Sequence, residues 1–434
     1  MSIFGAMNSA ISGLSAQSAA FTNISDNIAN SQTVGYKEVG TAFSDYLTAS
    51  NATENQSGTV ATTPEYMNNV QGTVVQSSDA LAMAITGQGF FPVSVGNVNA
   101  ATTSFNPQPY YTRAGDFQMN AQGYLVNSAG YYLNGWAANT STGVINQTAV
   151  APIQVNQNTF NPIATTTMNL SANLPATPSS GSTVSSQIQI YDALGTAHTV
   201  NLNWTQTAAN TWTVAVNVPD NTGGAAVGTA QVAFGSASGN PVPEGTVGSI
   251  SGATGGVTAG SYSAGGLANL SFTANFGSGA QAISLGLGNY GTASGVTQYA
   301  GTTYAQTNLS QNGVPPGSFQ SVSTQSNGDV VINYNNGQSQ TIARVPIVTF
   351  EAPDRLQSQN GQAYTATPNS GTPSVLTAGT SGAGSVVTGS VEQSNVDIAS
   401  QFSQLIVAQQ AYSANAKVMT SANQLMQTTI NIMQ

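Results

Sequence analysis

Residues 398–434 read IASQFSQLIVAQQAYSANAKVMTSANQLMQTTINIMQ, and the spacing of their apolar side chains decides the fold class. Ile398, Leu405, Tyr412, Met419, Met426 and Met433 recur at every seventh position, with Phe402, Gln409, Ala416, Asn423 and Ile430 between them. Alternating steps of four and three mark a helix that buries one stripe against another helix. Val418, Leu425 and Ile432 form a second row that widens the stripe toward its end. Ser394-x-x-Asp397 stands where a capping box would open the helix. The N-terminus carries a matching pattern, with Met7, Leu14, Phe21 and Ile28 in one row and Ile3, Ala10, Gln17 and Ile24 in the other. The spacing predicts one helix over residues 1–30, punctuated by Asn30 and Gly35. It predicts a second of roughly 38 residues, or about 57 Å at the α-helical rise.

Neither helix has the charged outer face of a solvated helix. Asp26 is the only charge between Met1 and Tyr36, and Lys417 the only one between Ile398 and Gln434. The outward positions are Ser, Asn, Gln, Thr and Ala, which suit packing against further helices or lining a passage that must not grip charged cargo. The pattern predicts a subunit that assembles with copies of itself. The residues expected to carry that seam are Ile3, Met7, Leu14, Phe21, Ile24, Ile28, Ile398, Phe402, Leu405, Tyr412, Met419, Met426, Ile430 and Met433. Isolated helices are marginal in water, so both ends are expected to be frayed in the monomer and ordered by neighbours.

The remaining composition agrees with a structural role. Charged residues make up 5% of the 434, against a usual figure of about 25%. Forty-six Gly and 17 Pro point to many short strands and turns, and 40% hydrophobic residues are enough to form cores. A net charge of −10, with only Lys37, Arg113, Arg344, Arg355 and Lys417 basic, argues against nucleic acid and anionic membranes as partners. The absence of cysteine excludes disulfides and thiolate metal sites. No apolar run approaches the ~20 residues of a membrane span. No basic residue precedes an apolar core at the start, so the chain is expected to be cytoplasmic or exported without a cleaved signal.

Between the helices the pattern is β. Residues 37–70 are polar and irregular, and read as a linker or an extended arm. From Gly72 to about residue 150, short apolar pieces and closely spaced aromatics separated by glycines have the rhythm of a β-meander with an aromatic core. Residues 151–345 read as a separate, outer all-β region. His198–Trp204 and Trp212–Val218 alternate with period two. The Gly-, Ala-, Ser- and Thr-rich stretch 221–301 is either an extension of that region or a further small domain. Val330–Tyr334 and Ser339–Ala343 flank Asn335-Asn336-Gly337, which predicts a hairpin with a type I′ turn. The expected architecture is a mainly β, multi-domain protein with α-helical coiled-coil termini. Residues 1–36 and 394–434 form the helical part, 71–150 with 346–393 an inner β domain, and 151–345 the outer one.

No constellation of reactive groups emerges. His198 is the only histidine, with no second His or Cys to build a metal site or triad around it. Gly286-Leu-Gly288-Asn-Tyr-Gly291 matches a dinucleotide fingerprint, but no acidic residue follows until Asp329 and no amphipathic helix follows at all. The 15 carboxylates are dispersed. No enzyme activity, cofactor or metal is expected.

Several stretches resemble the bacterial flagellar rod and hook family of axial proteins. Asn27-Ile-Ala-Asn-Ser-Gln-Thr-Val-Gly-Tyr-Lys37 is similar to the family signature after its first helix. Asp79-Ala-Leu-Ala-Met-Ala-Ile-Thr-Gly-Gln-Gly-Phe-Phe91 and Tyr111-Thr-Arg-Ala-Gly-Asp-Phe117 resemble the next two segments, followed by Gly123-Tyr-Leu-Val and Gly130-Tyr-Tyr-Leu-Asn-Gly135. Glu392-Gln-Ser-Asn-Val-Asp-Ile398 and Gln409-Gln-Ala-Tyr-Ser-Ala-Asn415 resemble the closing motif. Within the family the large insert, with Tyr191-Asp-Ala-Leu-Gly195 and His198, resembles the hook branch more than the distal rod branch. The resemblance implies a tubular homopolymer that acts as a bendable joint between motor and filament in the extracellular flagellum. It also implies export of the unfolded chain by the flagellar type III apparatus, growth under a hook cap, and junctions to the rod and to a hook–filament adapter. Stretch 221–301 matches nothing in the family pattern. A distal rod protein with an unusual insertion, or an exported adhesin-like β protein whose helices oligomerise it, are the alternatives.

Overall fold

The computed structural model describes residues 3–50, 55–98, 103–139, 142–177 and 181–432. Helix α1 spans Ile3–Ala29 and helix α2 spans Ile398–Ile432, and the described residues between them are mostly strand and turn. Asp397, not Ser394, caps α2: its carboxylate accepts from the amides of Ala399 at 2.8 Å and Ser400 at 3.2 Å. A carboxylate at this position satisfies orphan N–H groups and complements the helix dipole.

The chain divides into two compact units. The first comprises residues 1–157, 320–333 and 339–434, and the second residues 158–319 and 334–338. Residues 37–70, read from sequence as irregular, fold in the first unit as an antiparallel ribbon of β1 (Val39–Ser50) and β2 (Asn55–Tyr66), in register from Val39 opposite Tyr66. The ribbon lacks the apolar alternation that marks a half-buried strand, which hid it. Its backbone finds partners in polar side chains of α1 instead.

The β core of the first unit is not a meander. In its main sheet Phe91–Ser94 lies between Tyr110–Thr112 and Tyr132–Ala138, and strands from the far end of the chain flank these three. Ser339–Arg344 pairs with Tyr132–Ala138, and Ala363–Thr365 with Tyr110–Thr112. The expected aromatic core is present. Phe90 meets Phe350 and Tyr364 edge-on at 6.1 and 5.6 Å, and Tyr111 meets Phe350 at 4.9 Å, the geometry that ring quadrupoles favour. The predicted hairpin forms with a different turn. Only Gly337 is left-handed, at φ 79°, and its amide bonds to the Tyr334 carbonyl. That is a type I turn closed by a glycine rather than type I′, which needs two left-handed residues.

The second unit is a sandwich of a five-stranded and a six-stranded sheet. The alternation read from sequence is realised in Ala197–Ala208 and Thr211–Asn217, whose inward residues include Val200, Leu202, Trp204, Trp212, Val214 and Val216. Stretch 221–301 is neither an extension nor a further domain. Its strands Ala226–Phe234, Val247–Gly255, Leu267–Asn275 and Ala280–Asn289 join both sheets. Leu270, Phe272, Ile283, Leu285 and Leu287 from this stretch share one core with the two tryptophans. Small and β-branched residues concealed strands whose apolar positions are sparse but correctly phased.

Candidate assembly surface

The two terminal helices pack against each other antiparallel within one chain. Asn27 Nδ2 donates to Gln401 Oε1 at 3.1 Å. Two heptads away, a Cβ added at Gly13 would lie 2.8 Å from the Asn415 amide nitrogen. Buried Ala20 and Ala408 fall between these layers, and Ala6 lies with buried Ala422 beyond them. The packed rows are therefore Ala6, Gly13, Ala20, Asn27 and Gln401, Ala408, Asn415, Ala422. Small residues at a seven-residue repeat let two helix backbones approach closely.

Most large residues predicted for the seam flank this line. Ile24 is buried; Met7, Leu14, Phe21, Ile28, Leu405, Met419 and Met426 are half-buried. Phe21 meets the Tyr412 ring edge-on at 6.2 Å. Ile398, Phe402, Tyr412 and Ile430 are exposed. The row containing Phe402 and Ile430 lies one residue beyond the packed row of Gln401 and Ala408, so it faces out. The side chain of Ile3, and Met433, lie outside the described residues. Both helices are paired in the single chain, where frayed ends are expected from sequence. The reason is that α1 has partners on two sides.

The second partner is the ribbon. Ser9 Oγ donates to the Gly58 carbonyl, and Ser12 Oγ accepts from the Val60 amide at 3.2 Å. Asn23 Nδ2 donates to Thr41 Oγ1 at 2.8 Å and to the Gly40 carbonyl. Asn27 bonds both the amide and the carbonyl of Val39. The uncharged polar residues of α1 thus bond backbone groups on both strands of the ribbon. α2 has no such cover. Phe402, Ile406, Val407, Val418, Leu425, Ile430 and Ile432 are each at least half or nearly half exposed, Ile432 at 83%. An apolar stripe of this length with one lysine is what an interaction surface looks like.

At the base of the helices, Tyr36 donates its hydroxyl to Asn27 Oδ1 at 3.1 Å. Burial, then the charges of Asp26 and Glu38, push its phenol up to about 12. The unfolded phenol ionises near 10.0. Between these values the folded chain keeps a proton that the unfolded chain has released. The stability Tyr36 contributes is complete below pH 10.0 and is lost as pH rises to about 12. Thermal unfolding of the first unit should therefore fall across that window. Tyr36→Phe should flatten part of the fall and lower neutral-pH stability by about 1 kcal/mol. An unchanged alkaline slope in the variant would refute the assignment.

Beside it lies a pair of buried cations on one carboxylate. Glu392 bonds Lys37 Nζ at 2.5 Å and Arg113 Nη1 at 3.1 Å. Burial holds the Lys37 ammonium below its ordinary value, against the pull of Glu392, and Arg113 adds to the lowering. Sequence reading missed both this cluster and the small-residue rows. The signal for the rows was the heptad of Ala6, Gly13 and Ala20. For the cluster it was only that bases are so scarce.

His198 lies in the second unit, stacked on Phe276 with ring centroids 3.8 Å apart, between Asp220 Oδ2 at 3.0 Å from Nδ1 and Asp192 Oδ2 at 3.6 Å from Nε2. Gly286 and Gly288 lie within a strand that pairs on both sides, so no phosphate loop forms. Among the described residues no group of three metal-ligating side chains occurs, and no helix is long and apolar enough to cross a membrane.

Four family profiles match in chain order. They are "Flagella basal body rod protein" over residues 7–37, "Flagellar hook protein FlgE/F/G D1 domain" over 84–173, "Flagellar basal body protein FlaE D2 domain" over 154–314, and "Flagellar basal body rod FlgEFG protein C-terminal" over 387–432. Together these describe a flagellar axial protein. The flagellar hook protein FlgE of Brucella abortus is 32% identical over 437 residues, covering 100% of both chains. That of Salmonella typhimurium is 28% identical, covering 98% of each. The chain belongs to the flagellar hook protein family and is a structural subunit of the hook. A solved structure, Helicobacter pylori flagellar hook protein FlgE2, is similar at 16% identity and a TM-score of 0.48, covering 72% of this chain and 98% of that one.

Proposed function

We propose that the chain polymerises with copies of itself into a hollow, curved tube that carries torque from the rod to the filament as a universal joint. The helices, residues 1–36 and 394–434, line the inner wall. The sheets of the first unit form the inner β layer, and residues 158–319 with 334–338, rather than the whole of 151–345, the outer one. The partners are the rod below, the hook cap during growth and the hook–filament junction above. The chain reaches them unfolded, through the flagellar type III export apparatus, without a cleaved signal.

The observation that carries this reading is the bare stripe on α2, from Phe402 to Ile432. It is apolar, it bears one charge along its whole length, and none of the described residues covers it. A contact that repeats head to tail without closing builds a helical polymer. Family membership supports the tube and its place in the flagellum.

The test is deletion of residues 398–434. The expected product is a soluble chain with both β units folded and no polymer in electron micrographs. The full chain should give curved tubes. Tubes from the truncated chain would remove the helix as the driver of assembly, and straight tubes from the full chain would favour a rod component.

A further inference from the structure

Two of the five basic residues in this chain are buried against a single anion that arrives near the end of the sequence. The side chains of Lys37, Arg113 and Glu392 are 1%, 3% and 0% exposed. Lys37 Nζ also donates to the Val70 carbonyl at 2.6 Å. Arg113 donates to the carbonyls of Ile85 and Gly87, and its guanidinium lies 5.3 Å from the centre of the Phe90 ring. Glu392 accepts from the Gly72 amide, and its own carbonyl accepts from the Gly35 amide. One carboxylate therefore ties together segments around residues 35, 72 and 113.

The cations lie 355 and 279 positions before their partner. Without Glu392, closing the first unit would bury two like charges against carbonyls and one ring. Arg113 Nε already lacks a partner, so the site has no spare acceptor to absorb the loss. An uncompensated buried charge is strongly destabilising on the scale of the small net stability that holds a domain together. The same C-terminal segment completes two strand pairs. Ser390–Glu392 joins Val74–Gln76, and Ser385–Thr388 joins Met83–Thr86. The second unit has no such dependence, because its core is drawn from residues 168–296.

We infer that Glu392 is a closing residue: the helix-bearing unit stays open until the chain is complete, and closes when this carboxylate reaches Lys37 and Arg113. The inference concerns the folding order of one chain and goes beyond the assembly reading. It holds whatever the finished subunit builds. Its physical effect is to keep the N-terminal third from closing on a partial chain.

The experiment is pulsed hydrogen exchange on the refolding full-length chain, with native-state exchange on variants. Peptides covering residues 83–94 and 110–138 should gain protection in the same kinetic phase as 385–392. Glu392→Gln should lower native-state protection of the first unit by about 100-fold or more, leaving the second unit unchanged. Lys37→Met added to Glu392→Gln should recover at least about tenfold, because one unpaired charge is removed. A Glu392→Gln chain whose first unit does not fold is the extreme of the expected result, and the double variant then decides. Earlier protection of the N-terminal peptides would overturn the inference. So would a double variant no better protected than Glu392→Gln.

Discussion

Leu425→Glu combined with Val418→Glu is expected to abolish polymer formation while leaving the monomer intact. Both side chains are exposed in the single chain, at 59% and 47%, and they lie seven residues apart on one face of α2. Glutamate is a good helix former, so the helix itself loses little. Ala408 and Ala422 themselves are unchanged, and Val418 and Leu425 lie at the exposed margin of the packed row, beside Ala422 and Ala6. In a polymer each glutamate would be buried against an apolar neighbour with no cation to meet it, since Lys417 is the only base on the helix. Burying an unpaired carboxylate costs several kcal/mol, or about a 100-fold rise or more in the concentration needed for assembly. Sedimentation and circular dichroism separate the two effects. Polymers forming at an unchanged concentration would mean that this face does not drive assembly.

Trp204→Ala should destabilise the second unit by about 4 kcal/mol and leave the first unit's unfolding transition where it is. Trp204 is fully buried at the centre of the sandwich, on a strand whose inward side chains alternate with outward ones. Removing the indole leaves a cavity that strands anchored on both sides cannot collapse to fill. Trp204→Phe should cost far less than its lost volume suggests. The indole Nε1 has no hydrogen-bond partner, so the phenyl ring removes an unsatisfied buried donor along with the atoms. Calorimetry of the two variants and the parent gives both numbers. A loss for Phe as large as its missing volume predicts would show that the indole nitrogen finds a partner, and a shift in both transitions would show that the two units do not unfold independently.

How much of this was legible in advance differs from element to element. The helices were legible because their signal is local: heptads in residues 3–28 and 398–430 need no knowledge of what lies elsewhere. The tryptophan strands were legible for the same reason, since period two appears within seven residues. The ribbon at Val39–Tyr66 was not, because its stability comes from Ser9, Ser12, Asn23 and Asn27 on another element. Strands in stretch 221–301 were hidden by small residues, which pack well in a sandwich but carry little pattern. The turn at Gly337 shows the limit of a dipeptide rule: Asn-Gly allows a type I′ turn, but loop length and strand twist choose among turns that glycine permits.

The assembly surface divides along the same line. Its chemistry, an apolar stripe nearly free of charge, was written in residues 398–434 themselves. Which row of the stripe is covered within the chain was not, because several rows of a wide stripe satisfy the same periodicity. Closeness of approach selected the small residues. With Gly13 opposite Asn415 and Ala20 near Ala408, the backbones come together and push Phe402 and Ile430 outward.

From sequence alone come the two nearly uncharged helices, the β character of everything between them and, through its motifs, the family. These are properties of composition and short-range spacing, which a folded environment modifies but does not create. The tertiary structure alone decided that α1 is held between α2 and a ribbon, that α2 keeps one face free, and that Lys37 and Arg113 meet at Glu392. Those facts depend on residues hundreds of positions apart, whose meeting is set by the packing of whole units and leaves no periodic trace along the chain.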